Sequence, residues 1–364
     1  MNYSETAERL PKKLLNEFPE EIQALSNGRP FLDVRSPSEY EKGSIPNSIN
    51  LPILDDAERD AVGKAYKEQG RETAKELGYS LVSGNSRQSR VDGWKAYLKA
   101  EPTAHLICWR GGLRSKIAQD WLTQSGIQTT RMPGGYKALR NALISTIESI
   151  SLDNTRPFYV IGGQTGSKKT VVVQALNNSI DLEDLAHHRG SAFGAFSQKQ
   201  PTPINFENEL ALKLLTHQHN HIIVEDESKT IGRLAIPEAL FAKMKEAPIA
   251  LVKVPLAERV DHIHKEYIKD PISTGQSTKR LSEQYLGALN RIQRRLGGAR
   301  HSSLTKKIKD AFTDGADASH QEWIETLLKN YYDPMYDYQI KKKQSRINFV
   351  GSPEEVTDYL SNRD

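Results

Sequence analysis

Two glycine-rich loops, each placed between an apolar strand and a helix, constrain the fold of this chain more than any other feature. The first loop, WRGGL, follows the predicted strand TAHLIC at 103–108 and precedes a helix that ends near Gly126. The second loop, GGQTGSKKT at 162–170, follows FYVI and precedes VVVQAL. Repeated strand–loop–helix units build parallel sheets with helices on their faces. The sequence therefore predicts an α/β fold.

A polar segment that ends in proline separates the two halves of this pattern. ISLDNTRP at 150–157 breaks a long predicted helix. A chain of 364 residues is long for one core, so two domains are expected. We predict a first domain at 1–145, a linker at 146–156 and a second domain at 157–364. The tail from about residue 257 is predicted to be largely helical and basic.

The composition excludes several classes of protein. One cysteine in the whole chain leaves no internal disulfide and no CxxC metal site. No apolar run is long enough to cross a bilayer, and MNYSETAERLPKK lacks a signal-peptide pattern. A cytoplasmic protein without membrane association is therefore expected. The net charge of +4 permits an anionic partner but does not require one.

Cys108 is predicted to be a nucleophile. Gly111 and Gly112 allow the loop backbone to curl so that N–H groups point inward, and a helix begins directly after the loop. Both features favour an anion, and therefore the thiolate form of a cysteine. Arg110 and Arg114 add positive charge, which makes the loop a candidate cradle for an oxyanion or a transferred chalcogen atom. The alternative is a buried, inert cysteine, the usual state of free cysteines.

The second loop fits a phosphate-binding P-loop except at one position. The pattern G-x-x-x-x-G-K-[ST] requires a glycine before the lysine, and Lys168 occupies that place. A side chain there costs about 1 kcal/mol of backbone energy. Lys168 either adds a second cation or damages the site and leaves a scaffold; we predict a loop that keeps its shape and binds phosphate differently. A plain glycine-rich turn is the alternative. The predicted phosphate-binding residues are Gly163, Thr165, Gly166, Ser167, Lys168, Lys169 and Thr170.

Acidic residues follow the next predicted strand in HIIVEDES at 221–228. In P-loop proteins such residues hold Mg²⁺ directly or through water, so Glu225 or Asp226 is the candidate. A solvated acidic turn is the alternative. His187 and His188 have no ligand set at suitable spacing, so no structural metal site is predicted.

Basic clusters in the C-terminal tail are candidates for RNA contact. RIQRRLGGARH at 291–301 contains Arg294, Arg295 and Arg300 and no acidic residue. Nearby tyrosines, Tyr332 among them, are candidates to stack on unpaired bases. A solvated basic helix face is the alternative, and composition alone favours it.

Several segments resemble a known family. DVRSPSEYEKGSIPNSINLP and MPGGY resemble signatures of rhodanese domains, and five residues separate Cys108 from Arg114, a longer loop than in sulfurtransferase rhodaneses. With ERDAVGKAYKEQGRETAKELGYSLV, CWRGGLRS and GYKALR, the chain resembles the tRNA 2-selenouridine synthase family. DLEDLAHHRGSAFG, VEDESKTIG and YYDPMYDYQIKKK extend the resemblance through nearly the whole chain. Lys168 is the main departure.

The resemblance implies a rhodanese-like parallel-sheet domain followed by a P-loop NTPase-like α/β domain with a helical C-terminal extension. It also implies conversion of wobble 2-thiouridine in tRNA to 2-selenouridine. The sulfur would first be alkylated by geranyl diphosphate and the S-geranyl group then displaced by selenium from selenophosphate. Cys108 would carry the selenium. We assign geranyl diphosphate to the loop around Lys169 and Thr170 as a hypothesis.

The implied partners are tRNA and, as a candidate, a protein that supplies selenophosphate. No tightly bound cofactor is expected, and Mg²⁺ is a candidate ion. The residues are also consistent with two other functions. One is a C-x5-R phosphatase fused to a nucleotide-binding domain, although Ile107 stands where such phosphatases usually have histidine. The other is a non-catalytic tRNA-binding protein with an altered P-loop.

Overall fold

The chain forms two compact units in a computed structural model that describes residues 3–195 and 198–363. The first unit is the chain up to Asp153 together with Pro201–Gln218. The second unit is Asn154–Gln200 together with the chain from His219 onward. None of the helices in the described ranges is both long and apolar enough to cross a bilayer.

The strands in chain order are β1 (Phe31–Asp33), β2 (Ser48–Asn50), β3 (His105–Ile107), β4 (Thr130–Arg131), β5 (Phe158–Gly163), β6 (Ser179–Ile180), β7 (Ile222–Glu225), β8 (Thr230–Ile231), β9 (Leu234–Ala235), β10 (Ile249–Val252) and β11 (Ile347–Gly351). All but β8 and β9, which form an antiparallel pair, belong to two parallel sheets, one in each unit.

The α-helices in chain order are α1 (Tyr3–Ala7), α2 (Lys12–Glu17), α3 (Pro19–Ser26), α4 (Pro37–Lys42), α5 (Asp56–Gln69), α6 (Arg71–Leu81), α7 (Gly84–Ala100), α8 (Leu113–Gln124), α9 (Gly135–Leu152), α10 (Lys169–Ala175), α11 (Leu182–Leu185), α12 (Pro203–Leu215), α13 (Glu238–Glu246), α14 (Leu256–His264), α15 (Asp270–Ser273), α16 (Thr278–Leu296), α17 (Gly298–Asp314), α18 (Asp317–Leu327), α19 (Asp333–Lys342) and α20 (Pro353–Ser361). Short segments of π-helix, Lys265–Lys269 and Leu328–Tyr332, follow α14 and α18, and Gln344–Arg346 forms a 3₁₀ turn.

The parallel sheet of the first unit has the strand order β2-β1-β3-β4. Its central strands β1 and β3 carry apolar residues that are almost fully buried, as expected when helices cover both faces. Cys108 follows the last residue of β3 directly. In parallel sheets, ligands bind beyond the carboxyl ends of the strands, so the fold places Cys108 at the functional edge.

The parallel sheet of the second unit has the order β11-β10-β5-β7-β6. The glycine loop follows β5, and Glu225 ends the neighbouring strand β7. Both therefore lie at the same edge of this sheet. The C-terminal helices α16, α17 and α18 enclose a separate apolar core in this unit, which includes Leu281, Leu289 and Trp323.

The structure differs from the sequence-based boundaries at the predicted linker. Helix α9 continues to Leu152, so residues 146–152 of the predicted linker 146–156 are helical. Thr146, Ile147 and Ile150 are buried in the first unit, and this burial outweighs the polar composition of the segment.

A second difference lies within the predicted domain 157–364. Residues 201–218 of that range belong to the first unit. Helix α12 in this segment presents Leu210, Ala211 and Leu214 as fully buried residues, and Asn208 donates to the Ser44 carbonyl at 2.6 Å.

Candidate active site

The Cys108 loop joins β3 to α8, as the sequence predicts. The Cys108 side chain is 3% exposed, and its sulfur lies 3.2 Å from the Ser115 hydroxyl. That hydroxyl donates to the Gly112 carbonyl at 3.1 Å. Because a hydroxyl rotates freely, it accepts from a thiol and is positioned to donate to a thiolate. Sequence reasoning missed Ser115, although its place beside Arg114 in CWRGGLRS was the available signal.

The glycine turn at 132–136 supports the back of this loop. The Cys108 carbonyl accepts from the Tyr136 amide at 2.9 Å. A side chain at Gly135 would lie within 3 Å of both the Cys108 carbonyl oxygen and the Gly111 amide, so only glycine allows this approach. Gly111 has φ of +64° and Gly135 has φ of +60°, which glycine adopts without strain. The late glycine turn therefore fixes the backbone of the cysteine loop.

The two arginines of the predicted cradle differ in their surroundings. Arg110 is exposed at the rim of the loop. Arg114 is partly buried, and both of its terminal nitrogens donate to Glu39 at the N-terminal end of α4. Burial alone would raise the pKa of Glu39, but the hydrogen bonds and charge of Arg114 lower it. Arg114 is therefore held in place by Glu39, and Arg110 is the cation more accessible to an incoming anion.

A buried ion pair under the loop was not predicted from the sequence. Arg35 and Asp33 are both fully buried, and the Arg35 guanidinium lies 2.7 Å from the Asp33 carboxylate. The same guanidinium lies 3.7 Å from the centre of the Tyr136 ring and also donates to the Gly43 carbonyl at 2.8 Å. Removing either partner would leave a buried charge uncompensated. This pair anchors the turn that carries Tyr136.

The second glycine loop adopts a strand–loop–helix geometry between β5 and α10. Lys168 has φ of +63° and ψ of +30°, the left-handed conformation that favours glycine. Its ammonium lies 3.4 Å from the Glu258 carboxylate, at the border of the pocket. The loop therefore keeps its backbone shape with lysine in the glycine position.

Lys169 is placed over the loop. Its ammonium donates to the Gly163 carbonyl at 2.9 Å and lies 5.7 Å from the centre of the Tyr336 ring. Burial alone would lower the pKa of Lys169, but Tyr336 and the carboxylates of Glu183, Glu227 and Asp226 together raise it. Lys169 is therefore a fixed cation in the loop.

The loop borders a pocket in the second unit. Its wall includes Thr165, Gly166, Ser167, Lys168, Lys169 and Thr170, and in addition Glu183, Arg189, His262, Glu266 and Tyr336. The first set was predicted and the second was not, because those residues are distant in sequence and are joined to the loop only by folding. Ser167 is buried, and within the described residues its hydroxyl has no hydrogen-bond partner.

Glu225 and Asp226, the predicted Mg²⁺ ligands, both contact other groups in the structure. Glu225 is buried and accepts from the Leu182 amide at 2.9 Å; burial, together with Asp181, raises its pKa well above the usual value. Asp226 accepts from Lys343 at 2.6 and 2.7 Å, so its charge is neutralised. Across the described ranges, no three His, Cys, Asp or Glu side chains are grouped as a metal site.

Glu227 is a further carboxylate next to the pocket, besides Glu183 and Glu266 in its wall. A side chain on Gly190, which lines the pocket, would collide with the Glu227 carboxylate. Burial raises the pKa of Glu227 to about 8, aided by the charge of Glu183 and opposed by Lys169. At neutral pH the residue is therefore mostly protonated and adds little negative charge to the pocket.

The RNA-contact candidates separate into exposed and buried residues. Arg294 and Arg295 in the last turn of α16 and Arg300 in the first turn of α17 are exposed, so they stay candidates. Tyr332 is only 5% exposed, which removes it from the residues able to stack on a base. The error arose because local composition cannot show that Tyr332 lies on the apolar face of its helical segment.

The two histidines singled out in the sequence lie at a second, wider pocket. His187 and His188 border it together with Lys199, Arg233 and Arg291. His187 has φ of +48°, and one of its ring nitrogens lies 3.2 Å from the Lys199 carbonyl. Burial lowers the pKa of His188.

Comparisons with known proteins match both parts of the chain. A family model described as the tRNA 2-selenouridine synthase AAA domain matches residues 156–364, and a rhodanese-like domain model matches residues 18–142. The two matches follow the two glycine loops along the chain. They confirm the fold class predicted from the resemblance.

Curated relatives match most of the chain. The tRNA 2-selenouridine synthase of Shewanella piezotolerans is 43% identical over 343 residues, which cover 90% of this chain and 93% of the relative. The tRNA 2-selenouridine synthase of Shewanella loihica is 41% identical to this chain, and the match covers 96% of this chain and 97% of the relative. The tRNA 2-selenouridine synthase of Hahella chejuensis is 40% identical, and the match covers 92% of this chain and 92% of the relative. By both the matched domains and this extent of identity, the chain belongs to the tRNA 2-selenouridine synthase family.

Proposed function

We propose that this enzyme converts 2-thiouridine at the wobble position of tRNA to 2-selenouridine in two steps. The observation that carries the proposal is the presence, in one chain, of two different anion-binding loops at the carboxyl ends of parallel strands. One loop carries the thiol of Cys108 and the other carries the buried cation of Lys169. The names of the relatives supply the tRNA substrate and the selenium chemistry.

In the first step, the sulfur of 2-thiouridine attacks C1 of geranyl diphosphate. A carbon–sulfur bond forms, the C1–oxygen bond breaks, and diphosphate leaves with the electron pair, while the nucleobase loses its N3 proton. The leaving diphosphate requires cations and backbone N–H donors. Lys169 and the amides at the start of α10 supply both, and Arg189 in the pocket wall adds a further cation.

In the second step, selenium from selenophosphate adds at C2 and the geranyl thiol leaves. Alkylation prepares this step because it converts the sulfur into a better leaving group. Water takes up the phosphoryl group, so S-geranyl nucleoside, selenophosphate and water give 2-selenouridine, geranyl thiol and phosphate without a change of oxidation state. We assign the selenium donor to the loop of Cys108, where Arg110 is exposed for the anion and Ser115 contacts the sulfur.

The RNA is proposed to bind through basic residues of the C-terminal helices. Arg294, Arg295 and Arg300 are exposed and suit contact with phosphates. A wobble base lies in a single-stranded loop, so it can enter a pocket without opening a duplex. No step of the proposal is routed through Mg²⁺, which stays a candidate ion with Glu225 and Asp226 as its predicted ligands.

The experiment is a nucleoside analysis with separate donors. Wild type, Cys108→Ala and Lys169→Ala are incubated with tRNA that contains wobble 2-thiouridine, first with geranyl diphosphate alone and then with selenophosphate. The digested nucleosides are identified by mass spectrometry. We expect Lys169→Ala to lose the S-geranyl product, and Cys108→Ala to form that product but no 2-selenouridine.

Other results would assign the loops differently. Normal geranylation by Lys169→Ala would show that the diphosphate binds elsewhere. Turnover of an aryl phosphate by wild type and not by Cys108→Ala would support the phosphatase alternative. Tight tRNA binding without any nucleoside change, with both donors present, would support a non-catalytic RNA-binding protein.

A further inference from the structure

The wider pocket, which His187 and His188 border, lies beside the pocket of the second glycine loop, the glycine-loop pocket. Gly190 and Ser191 belong to the walls of both pockets, so an occupant of one would lie next to an occupant of the other. The wider pocket has a volume of about 640 Å³ and is open to solvent. Pockets that bind small molecules span about 300–1,000 Å³, so this space is large enough for a nucleotide.

Hydrogen bonds between separate segments of the chain hold the wall of the wider pocket. The Gln200 side chain donates to the Ala186 carbonyl at 3.0 Å and accepts from the Arg233 amide at 2.9 Å. Elsewhere in the wall, Arg291 of α16 donates to the Ala192 carbonyl at 2.9 Å. The wall is therefore built by contacts within the folded unit.

Charge distinguishes the two pockets. Lys199, Arg233 and Arg291 bring three cations to the wall of the wider pocket, and none of the wall residues that the structure describes there is acidic. The glycine-loop pocket has Glu183 and Glu266 in its wall. A wall with cations and no carboxylate favours an anion, such as the phosphate group of a nucleotide.

Planar side chains in the same wall suit a nucleobase. Four such groups belong to it: the rings of His187 and His188 and the guanidinium groups of Arg233 and Arg291. Unpaired bases of RNA stack on histidine rings and on guanidinium planes. Burial lowers the pKa of His188, so its ring is neutral at neutral pH and carries one hydrogen-bond donor and one acceptor. A base and its phosphate therefore have complementary groups in one space.

Helix α16 connects the wider pocket to the exposed arginines that are proposed to contact RNA. Arg291 lies in the pocket wall, and Arg294 and Arg295 follow it by three and four residues. Residues at these spacings share one face of a helix, and all three side chains are exposed. Phosphates of a strand bound along this face would lead to the pocket. This continuity favours an RNA strand over a free nucleotide as the occupant.

We propose that the wider pocket binds one unpaired nucleotide of the tRNA and places its base next to the glycine-loop pocket. The inference rests on the proposed function, in which this base carries the sulfur that is alkylated and the diphosphate binds at Lys169 and Thr170. Because the two pockets share Gly190 and Ser191, the nucleotide and the diphosphate would occupy adjacent spaces. The wider pocket is thus assigned to the acceptor base and the glycine loop to the donor.

The test measures binding of labelled RNA hairpins to the full-length protein by fluorescence anisotropy, with neither donor present. One hairpin carries 2-thiouridine in its loop, and the other lacks the base at that position. Unlabelled uridine monophosphate serves as competitor. Thr230→Glu places a carboxylate in the pocket wall, and Thr278→Glu is the matched control because Thr278 is exposed outside the described wall. Thermal unfolding shows whether each variant is folded.

We expect the wild type to bind the hairpin with the base at least about tenfold more tightly than the abasic hairpin, because a stacked base adds to the affinity. In Thr230→Glu the carboxylate repels the phosphate of that nucleotide, so the two hairpins should bind within about twofold of each other. Its affinity for inorganic diphosphate, measured by calorimetry, should stay within about twofold of the wild type. Thr278→Glu should keep the preference of the wild type.

Three results would overturn the inference. The first is equal binding of the two hairpins by the wild type. The second is the same preference for the base in Thr230→Glu and Thr278→Glu. The third is displacement of the hairpin by an equal concentration of uridine monophosphate, which would indicate a site for a free nucleotide.

A second variant keeps the inference testable if Thr230→Glu does not fold. His187→Asn removes a ring from the wall, and asparagine tolerates the φ of +48° at this position. The preference for the hairpin with the base should fall at least about threefold, and an unchanged preference counts against the inference. The proposed function fails separately. If the wild type forms no modified nucleoside with either donor, the reaction is wrong, whereas the ratio between the two hairpins still tests the pocket.

Discussion

Lys168 has the left-handed backbone of a P-loop glycine while its ammonium lies 3.4 Å from the Glu258 carboxylate. The pairing reduces the net charge that Lys168 contributes to the neighbouring pocket. Exposed pairs of this kind contribute little free energy, so the backbone strain is not offset by the contact.

Replacing Lys168 separates strain from charge. Lys168→Gly should raise the free energy of unfolding by about 1 kcal/mol, because glycine adopts the left-handed conformation without strain. Lys168→Ala removes the same charge but keeps the strain, so its stability should stay near that of the wild type. Urea unfolding measures the free energy of unfolding of both variants. If the two variants also bind inorganic diphosphate equally, any change from the wild type is due to the charge and not to the loop backbone.

Ser115→Ala should slow selenation and leave geranylation unchanged. The Ser115 hydroxyl lies 3.2 Å from the Cys108 sulfur, and a hydrogen bond to a charged sulfur is worth about 1.5–3 kcal/mol. We therefore expect selenation to slow at least about tenfold in single-turnover assays read by nucleoside mass. Thr123→Ala, on the same helix, removes a hydroxyl that contacts only the Gln119 carbonyl among the described residues and serves as control. Equal rates for the two variants would contradict a role of Ser115.

Diphosphate affinity should fall as the pH rises through about 8. Burial and Glu183 raise the pKa of Glu227 to about 8, so Glu227 is neutral below that pH and negative above it. A negative charge beside the pocket repels the anion, and a loss of about tenfold corresponds to about 1.4 kcal/mol. Calorimetry at about pH 6.5 and about pH 9, on the two sides of that pKa, measures the change. In Glu227→Gln the loss of affinity that Glu227 causes should vanish. Any change of affinity with pH that is left in this variant comes from titration of diphosphate itself.

Gly135→Ala should destabilise the first unit strongly. The new methyl group would lie within 3 Å of the Cys108 carbonyl oxygen and of the Gly111 amide, and the backbone has φ of +60°. Overpacking and strain together should lower the free energy of unfolding by about 3 kcal/mol. Gly28→Ala is the matched control, because Gly28 has φ of +62° and no atom within 4 Å of the added carbon. The control should lose only about 1 kcal/mol in the same urea titration.

Arg294→Ala combined with Arg295→Ala should weaken tRNA binding and reduce its dependence on salt. Loss of two phosphate contacts to single-stranded RNA should lower the slope of log affinity against log salt by about 1.4. Lys279→Ala combined with Arg280→Ala, at the other end of α16, provides the same change of charge. Fluorescence anisotropy with labelled tRNA measures both slopes. An equal effect of the two double variants would indicate general attraction and no defined contact at Arg294 and Arg295.

Local patterns predict the parts of the fold whose causes are local. The apolar runs before each glycine loop gave β3 and β5, and the helices after them follow from ordinary periodicity. The tail was expected to be helical, yet Ile347–Gly351 forms β11 beside β10. Its short apolar run is stabilised by a strand almost one hundred residues earlier in the chain. No window of sequence around Ile347 contains that partner.

The candidate site also has parts that local sequence predicts and parts that depend on residues distant in the chain. Cys108 and Lys169 were found because the residues that shape their loops are adjacent in sequence. The pairing of Arg114 with Glu39, and that of Asp226 with Lys343, join residues 75 and 117 positions apart. The family resemblance implied the reaction, but it did not show that Tyr332 is buried.

The segment Pro201–Gln218 has a consequence for how the protein is made. Helix α12 completes the first unit, yet it is translated after the glycine loop and α10 of the second. On the ribosome, the first unit lacks the packing of α12 when residue 153 emerges and gains it only after residue 218 has left the exit tunnel. A gene fragment that stops at 153 would yield a unit without Leu210, Ala211 and Leu214. A single cut in the gene therefore separates neither unit with all of its own residues.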